Sequence, residues 1–209
     1  TEAGFGADLG AEKFLDIKCR KADLKTDAAV LVATIRALKM HGGVEKDNLS
    51  KENILAVEKG SANLLKHIEN LKKYGLPIVV AINAFVTDTK EEMDIVKKVC
   101  KKVGISAVVS KHWEKGSDGA IDLANKVVET LEKEKSNFKT LYDNNLSLED
   151  KINKIACEIY GAKRLEINAS AKKQLKDLEG TEYEKFPVCI AKTQYSFTAD
   201  PENGGLPQE

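Results

Sequence analysis

Several features that mark common classes of protein are missing from this sequence. The 209 residues carry 33 Lys plus Arg and 33 Asp plus Glu, so the formal net charge is zero. A balanced charge gives no electrostatic case for binding nucleic acid or an anionic membrane. No apolar run approaches the roughly 18 residues that a membrane-spanning helix needs, and no secretory signal peptide is recognisable. We therefore expect a cytoplasmic protein whose partners include neither nucleic acid nor a membrane.

Cysteine clusters and catalytic motifs are also lacking. The four cysteines are far apart and form no Cys-x-x-Cys, a pattern that argues against a metal site or a redox pair. Reduced thiols are the default for such cysteines. The sequence contains no Gly-x-x-x-x-Gly-Lys-Ser/Thr, no His-Glu-x-x-His and no Gly-x-Ser-x-Gly, the motifs of phosphate-binding loops, zinc proteases and serine hydrolases. The sequence therefore holds no self-contained catalytic signature.

What the sequence does contain is an alternation of apolar runs and amphipathic stretches between residues 27 and 135. This alternation predicts an α/β fold, with a mostly parallel sheet and helices on both of its faces. The predicted strands cover residues 28–34, 78–82 and 107–110, and the first two are expected to be buried. The predicted helices begin near residue 11, near residue 50, at Gly60, behind a capping box at residues 88–91, and at Ile121.

A polar stretch at residues 136–150 predicts a boundary between two regions. We place an α/β region at residues 1–142 and a smaller, incomplete α/β domain at residues 143–209. In the second region an apolar helical stripe runs from Ile152 to Ile159 and stops at Gly161. Another helix is predicted at residues 169–178 and a strand at residues 187–191. The chain begins without Met, inside a Gly-rich segment, so we expect it to be a piece of a longer protein.

The sharpest functional feature is a pair of aromatic residues, each placed just after a predicted strand. Phe85 follows the second strand and Trp113, the one Trp in the sequence, follows the third. Neighbouring parallel strands lie about 5 Å apart, and ligands of such sheets settle at the carboxyl ends of the strands. A flat ligand between two rings would gain on the order of 1 kcal/mol beyond its buried area. The alternative is that both rings belong to the hydrophobic core.

Two other segments are candidate binding loops. Residues 1–14 hold Gly4, Gly6 and Gly10, which would let the backbone approach a ligand closely, although the spacing fits a tight structural loop equally well. Residues 192–196, Lys-Thr-Gln-Tyr-Ser, offer several hydrogen-bond donors to a phosphate or a ribose. A polar strand end is the alternative interpretation.

Four collinear segments resemble the signatures of one enzyme family, the formate–tetrahydrofolate ligases. They are TEAGFGADLGAEKF at residues 1–14, VATIRALKMHGG at 32–43, AINAFVTDT at 81–89 and AKTQYS at 191–196. The resemblance implies an ATP-dependent ligase that joins formate to tetrahydrofolate through formyl phosphate and yields 10-formyltetrahydrofolate. It also implies formate, tetrahydrofolate and ATP with Mg²⁺ as substrates, and a homo-oligomer.

In that family an aromatic pair stacks the pterin ring, so the resemblance assigns this role to Phe85 and Trp113. It implies further active-site neighbours at Glu2, Gly4, Gly6, Asn83, Lys192, Thr193 and Ser196. The family's phosphate-binding loop is absent from these 209 residues, so we predict that the chain alone is inactive and holds no tightly bound cofactor. Two other interpretations stay open: a non-catalytic folate-binding module, and a structural or oligomer-forming domain in which both rings are core.

Overall fold

The fold is a three-stranded sheet with helices packed around it, as seen in a computed structural model that describes residues 1–192, 197 and 206. The strands are β1 (Ala29–Ala33), β2 (Ile78–Asn83) and β3 (Ser106–Ser110). The helices are α1 (Gly10–Lys13), α2 (Cys19–Ala22), α3 (Ile35–His41), α4 (Ile54–Lys73), α5 (Lys90–Lys102), α6 (His112–Lys115), α7 (Ile121–Lys133), α8 (Leu148–Lys154) and α9 (Ala169–Leu178). A π-helical turn, Phe14–Lys18, joins α1 to α2, and another, Ile155–Ile159, continues α8.

The sheet is parallel and has the order β1-β2-β3, which confirms the predicted α/β class. Its central strand β2 is buried at five successive positions, so both of its faces are covered. The register pairs Ala33 with Ile82 and Asn83 with Ser110. The three strands therefore end at one edge of the sheet, and the segments that follow β2 and β3 leave the sheet side by side.

Strand β1 is less buried than predicted. It forms an edge of the described sheet, and Val30 and Val32 are 45% and 61% exposed. The apolar run at residues 28–34 suggested a strand covered on both faces, but exposure alternates along β1, as it does in a strand covered on one face only. Only Ala33, its last residue, is buried.

One hydrophobic core holds the described chain together. Side chains of β2 and α4 pack with residues from the first and last thirds of the chain, among them Leu15, Leu141, Ile155 and Ile159. Residues from both sides of the predicted boundary at 142 and 143 therefore belong to the same hydrophobic cluster. The division into two domains stays a prediction, and below we describe a measurement that tests it.

Several predicted helices are confirmed with adjusted ends. Helix α9 covers the predicted residues 169–178, whereas Gly60 lies within α4 and does not begin a helix. Helix α4 begins at Ile54 behind Asn53, whose side chain accepts a hydrogen bond from Ala56 N. The glycine is needed for close packing, since a Cβ on Gly60 would lie 1.9 Å from Leu38 O in α3.

The strand predicted at residues 187–191 is wrong. These residues are described and form neither strand nor helix. The hydroxyl of Tyr142 donates to Val188 O at 3.1 Å and accepts from Val188 N at 2.9 Å. One side chain thus satisfies both backbone groups of Val188, which a strand would pair with a neighbouring strand. The described part of the second region contains helices α8 and α9 and no strand.

Within the described ranges, no helix combines the length and the apolar character needed to cross a bilayer. Among the same residues, no group of three or more His, Cys, Asp or Glu side chains is arranged to hold a metal ion.

Candidate functional site

The carboxyl edge of the sheet brings the two predicted stacking residues together. Asn83 and Ser110 are register partners, and Ala84 N donates to Ser110 O at 3.0 Å. The chain segments after β2 and β3 consequently stay close as they leave the sheet. The rings of Phe85 and Trp113 lie with their centroids 6.5 Å apart and their planes tilted by 48°.

Exposure distinguishes a binding pair from a core pair. Trp113 lies in the short helix α6 and is 69% exposed, while Phe85 is partly buried. Trp113 is therefore not part of the hydrophobic core of the described chain, and the stacking role of the pair stays a prediction. A partly buried aromatic ring resting against an exposed one leaves an apolar contact surface open to solvent, as a stacking site requires.

The two rings are slightly too close together to admit a flat molecule between them. Carbon atoms in contact lie about 3.5–4.0 Å apart, so a plate between two parallel rings needs about 7–8 Å. The observed 6.5 Å at a tilt of 48° is slightly too small. Because Trp113 is exposed, its side chain has room to change rotamer and widen the gap, and such changes are fast.

Phe85 is held by a tight turn. Asp88 N donates to Phe85 O at 3.0 Å, and Asp88 Oδ2 accepts from Phe85 N at 2.8 Å. Burial raises the pKa of Asp88, although the hydrogen bond from Phe85 N acts in the opposite direction. The turn therefore fixes the backbone that carries the Phe85 ring.

The turn leads into a capped helix that is anchored by a buried ion pair. Thr89 and Glu92 form the capping box of α5, one residue later than the sequence predicted. Lys39 Nζ lies 3.0 Å from Glu92 Oε1, and neither side chain is exposed. Burial opposes ionisation of Glu92, but the hydrogen bonds from Asn53 N and Lys39 hold its pKa below the usual value.

A hydroxyl–imidazole contact lies beside the aromatic pair. The buried Ser110 places its Oγ 2.9 Å from Nδ1 of the exposed His112. Because Ser110 is the last residue of β3 and His112 precedes Trp113, this contact connects the strand end to the short helix that carries the indole. Sequence reasoning missed this contact.

The amino-terminal loop borders a separate cleft. A cleft of about 650 Å³ lies between residues 1–7, strand β1 and helix α4, and Glu2, Gly4 and Gly6 line it. Phe5, in the same loop, is 65% exposed and has a φ of 64°, a conformation that side-chain-bearing residues seldom adopt. Phe85 and Trp113 are not among the described residues that line this cleft.

Lys192 is joined to that loop by a buried ion pair. Its Nζ lies 2.9 Å from Asp8 Oδ2, and the two side chains are 6% and 4% exposed. The ammonium also lies 5.6 Å from the ring centroid of Tyr160, whose hydroxyl donates to Asp8 O at 3.2 Å. Thr193 and Ser196, the other two candidates of that segment, lie outside the described residues.

A buried acidic cluster was not predicted. Glu12 and Asp16 are 2% and 0% exposed. They lie one helical turn apart in the first helical segment, residues 10–22, which comprises α1, the π-helical turn and α2. Asp16 accepts hydrogen bonds from Tyr74 Oη at 2.8 Å and from Leu141 N at 2.7 Å. Burial, together with the nearby Asp16, raises the pKa of Glu12 to about 8. The spacing of acids at residues 8, 12 and 16 was the available signal, but that spacing is also common on solvated helices.

Comparison with known proteins assigns the chain to a family. The family of formate–tetrahydrofolate ligases matches the chain over residues 1–209. The chain belongs to the formate–tetrahydrofolate ligase family. It is 56% identical, over 207 residues, to the protein named formate–tetrahydrofolate ligase of Ruegeria pomeroyi. That alignment covers 99% of this chain and 37% of the relative, so the chain spans little more than a third of the length of the relative.

Proposed function

We propose that this chain provides the folate-stacking part of an enzyme that joins formate to tetrahydrofolate at the expense of ATP. The observation that carries the proposal is the open Phe85–Trp113 pair at the carboxyl edge of the parallel sheet, in a chain that matches the ligase family throughout. A reduced pterin is flat and heteroaromatic in part, and two aromatic faces bind such a plate by stacking.

The proposed reaction proceeds in two steps. Formate attacks the terminal phosphorus of ATP, so that formyl phosphate forms and ADP leaves. A nitrogen of tetrahydrofolate then attacks the formyl carbon, which releases phosphate and gives 10-formyltetrahydrofolate. By holding the pterin between Phe85 and Trp113, the chain would fix the position of that nitrogen, which converts a bimolecular encounter into an intramolecular step.

The ATP phosphates need groups that this sequence does not show. A phosphate-binding loop supplies a lysine and a row of backbone amides, and its motif is absent from the 209 residues. We therefore propose that ATP and Mg²⁺ are held mainly by other parts of the enzyme, and that Glu2, Gly4, Gly6 and Lys192 neighbour the nucleotide or formyl phosphate. A cytoplasmic location and a homo-oligomeric assembly belong to the same proposal.

The first test is a titration of the 209-residue chain with tetrahydrofolate, followed by tryptophan fluorescence. The sequence has a single Trp, so the signal comes from Trp113 alone. We expect saturable quenching. We also expect Phe85→Ala to weaken binding by at least about tenfold, since stacking on a ring is worth roughly 0.5–1.5 kcal/mol and the lost contact area adds to that.

A control variant separates the loss of a stacking ring from a general loss of aromatic residues. Phe186 is also partly exposed at 50% and lies far along the chain beyond α9. Phe186→Ala should leave the affinity for tetrahydrofolate unchanged. Equal quenching in the wild type and in Phe85→Ala, with circular dichroism showing that both are folded, would contradict the stacking role. Formation of 10-formyltetrahydrofolate by the chain alone would contradict its predicted inactivity.

A further inference from the structure

Two buried oxygen atoms near Phe85 have no hydrogen-bond partner within the described part of the chain. They are Oδ1 of Asn83, two residues before the ring, and Oδ1 of Asp88, three residues after it. Leaving a buried acceptor unpaired costs about 1–3 kcal/mol, and such atoms are rare in folded proteins. Other such atoms also occur among the described residues, but these two lie on either side of one candidate binding residue.

The rest of the Asp88 carboxylate is already engaged. Its Oδ2 accepts from Phe85 N, so the turn fixes the orientation of the side chain. The charges that act on Asp88 come from Lys39 and Arg36, which favour its ionised form, and from Glu92, which opposes it. No described ion pair joins Asp88 to a cation, so its Oδ1 can accept a further hydrogen bond.

The position of Asn83 is equally fixed. It is the last residue of β2 and pairs in register with Ser110 of β3. Asn83 lies two residues before Phe85, and Ser110 lies three residues before Trp113. The two free acceptors and the two rings therefore lie at the same edge of the sheet.

We propose that Asp88 and Asn83 form the polar edge of the pterin site and accept hydrogen bonds from its aminopyrimidine group. This inference rests on the proposed function. The pterin of tetrahydrofolate carries a 2-amino group next to a ring N–H, so one edge of the plate presents adjacent donors. A ring stacked between Phe85 and Trp113 has its faces covered and its edges free, and acceptors beside Phe85 are placed to meet those donors.

The closed arrangement of the rings agrees with this assignment. Both oxygens are out of contact with solvent while the ring centroids are 6.5 Å apart. Because a plate needs about 7–8 Å, its entry must separate the rings, and the exposed Trp113 is the ring with room to move. The unpaired acceptors then receive donors from the ligand, so specificity arises from polar groups that the free protein leaves unsatisfied.

The test compares two ligands and one isosteric substitution. Asp88→Asn keeps an oxygen that can accept from Phe85 N and replaces the other oxygen with an NH₂ group, a donor. Tetrahydrofolate and its 2-desamino analogue are titrated into the 209-residue chain by Trp113 fluorescence. The wild type should prefer tetrahydrofolate by at least about tenfold, the size expected for one hydrogen bond to a charged group. Asp88→Asn should lose that preference.

Two further variants test whether the loss of preference comes from the polar edge itself. Asp94→Asn makes the same chemical change on an exposed side chain of α5 and should retain the wild-type preference. Asn83→Ala is the second variant if Asp88→Asn fails to fold, and it should also bind tetrahydrofolate more weakly.

The outcomes are distinct. If the wild type binds tetrahydrofolate but Asp88→Asn and Asn83→Ala both keep the full preference, the polar edge is wrong and the stacking role stands. If the wild type shows no saturable response to tetrahydrofolate, the stacking role and the polar edge are both overturned.

Discussion

Glu12 is a carboxyl group almost entirely removed from water, and its nearest acidic neighbour, Asp16, is buried as well. Two carboxylates one helical turn apart cannot both ionise without a large electrostatic cost. A shared proton resolves this conflict, which agrees with the raised pKa of about 8 for Glu12. Asp16 has the better partners, since Tyr74 Oη and Leu141 N both donate to it. We infer that the proton resides mainly on Glu12.

The consequence is a stability that depends on pH. An acid with a folded pKa of about 8 and an ordinary value of 4.5 binds more protons in the folded state, so between these values stability falls as pH rises. His67 acts in the opposite direction, since burial lowers its pKa to about 4 from 6.5. Stability gained by keeping His67 neutral increases only up to about pH 6.5. Between pH 6.5 and 8 the slope therefore reports on the buried carboxyl groups, since burial raises the pKa of Asp16 as well as that of Glu12.

We predict that Glu12→Gln flattens the pH dependence of stability in that window. The wild type should lose up to about 1.4 kcal/mol of unfolding free energy per pH unit, and the variant markedly less. Urea unfolding at pH 6.5, 7.0, 7.5 and 8.0, followed by circular dichroism, measures both slopes. Glu132→Gln, on an exposed residue, is the matched control. Parallel slopes for wild type and Glu12→Gln would show that Glu12 is ionised in the folded chain.

At the scale of elements, the ion pair of Lys39 and Glu92 connects three helices. Lys39 lies in α3 and donates to Lys51 O at 3.0 Å, in the segment before α4. Glu92 accepts from Asn53 N, at the start of α4, while capping α5. The ion pair therefore sets the position of α5, and with it the turn that carries Phe85.

We predict a large cost for breaking this pair on one side. Lys39→Met and Glu92→Gln should each lower the unfolding free energy by about 3–5 kcal/mol, because each leaves a buried partner uncompensated. The double variant should cost less than the sum of the two, since it removes both charges. Urea unfolding of the four proteins gives the coupling free energy. Additive losses would mean that the two side chains stabilise the fold independently.

Lys97→Met, from an exposed pair with Asp94, is the control and should change stability by less than about 1 kcal/mol.

The same elements show what the sequence could reveal and what it could not. The five apolar residues of β2 and helix α9, whose N-cap is Asn168, carry their signals locally, and both elements were predictable. The capping box was predicted one residue too early because both Asp88 and Thr89 are good N-caps. Because the Asp88 carboxylate already accepts a hydrogen bond from Phe85 N, Thr89 is the residue that caps α5. Similarly, the role of Gly60 depends on the distance to α3, a contact between segments about 20 residues apart.

In the candidate site, too, some features could be predicted from the sequence and others could not. The strand ends that carry Phe85 and Trp113 follow from parallel topology, so their proximity could be predicted. The unpaired oxygens of Asn83 and Asp88 could not, since a free hydrogen-bonding atom is a property of the completed packing. The apparent strand at residues 187–191 failed for a related reason, because the distant Tyr142 satisfies the backbone of Val188.

At the scale of the whole molecule, the question is whether residues 143–209 unfold separately. Ile155 is fully buried in the cluster that includes Ile78 and Val80 of β2. Tyr142 and Leu141, beside the predicted boundary, are tied to the first helical segment through Arg20 and Asp16. Contacts of this kind transmit destabilisation across a boundary, so we expect the described chain to unfold as one unit.

We predict that Ile155→Ala destabilises β2 as well as its own region. The substitution should cost about 2–5 kcal/mol, and hydrogen exchange of the β2 amides should accelerate by the factor that corresponds to this loss. Ile121→Ala, at a position 53% exposed, is the control and should change the exchange little. Faster exchange confined to α8 and the residues after it would instead show two units that unfold independently, and would support the boundary at residues 142 and 143. Because Phe85 follows the end of β2, a shared unfolding would also mean that substitutions far along the chain weaken the proposed folate binding, since they lower the population of folded protein.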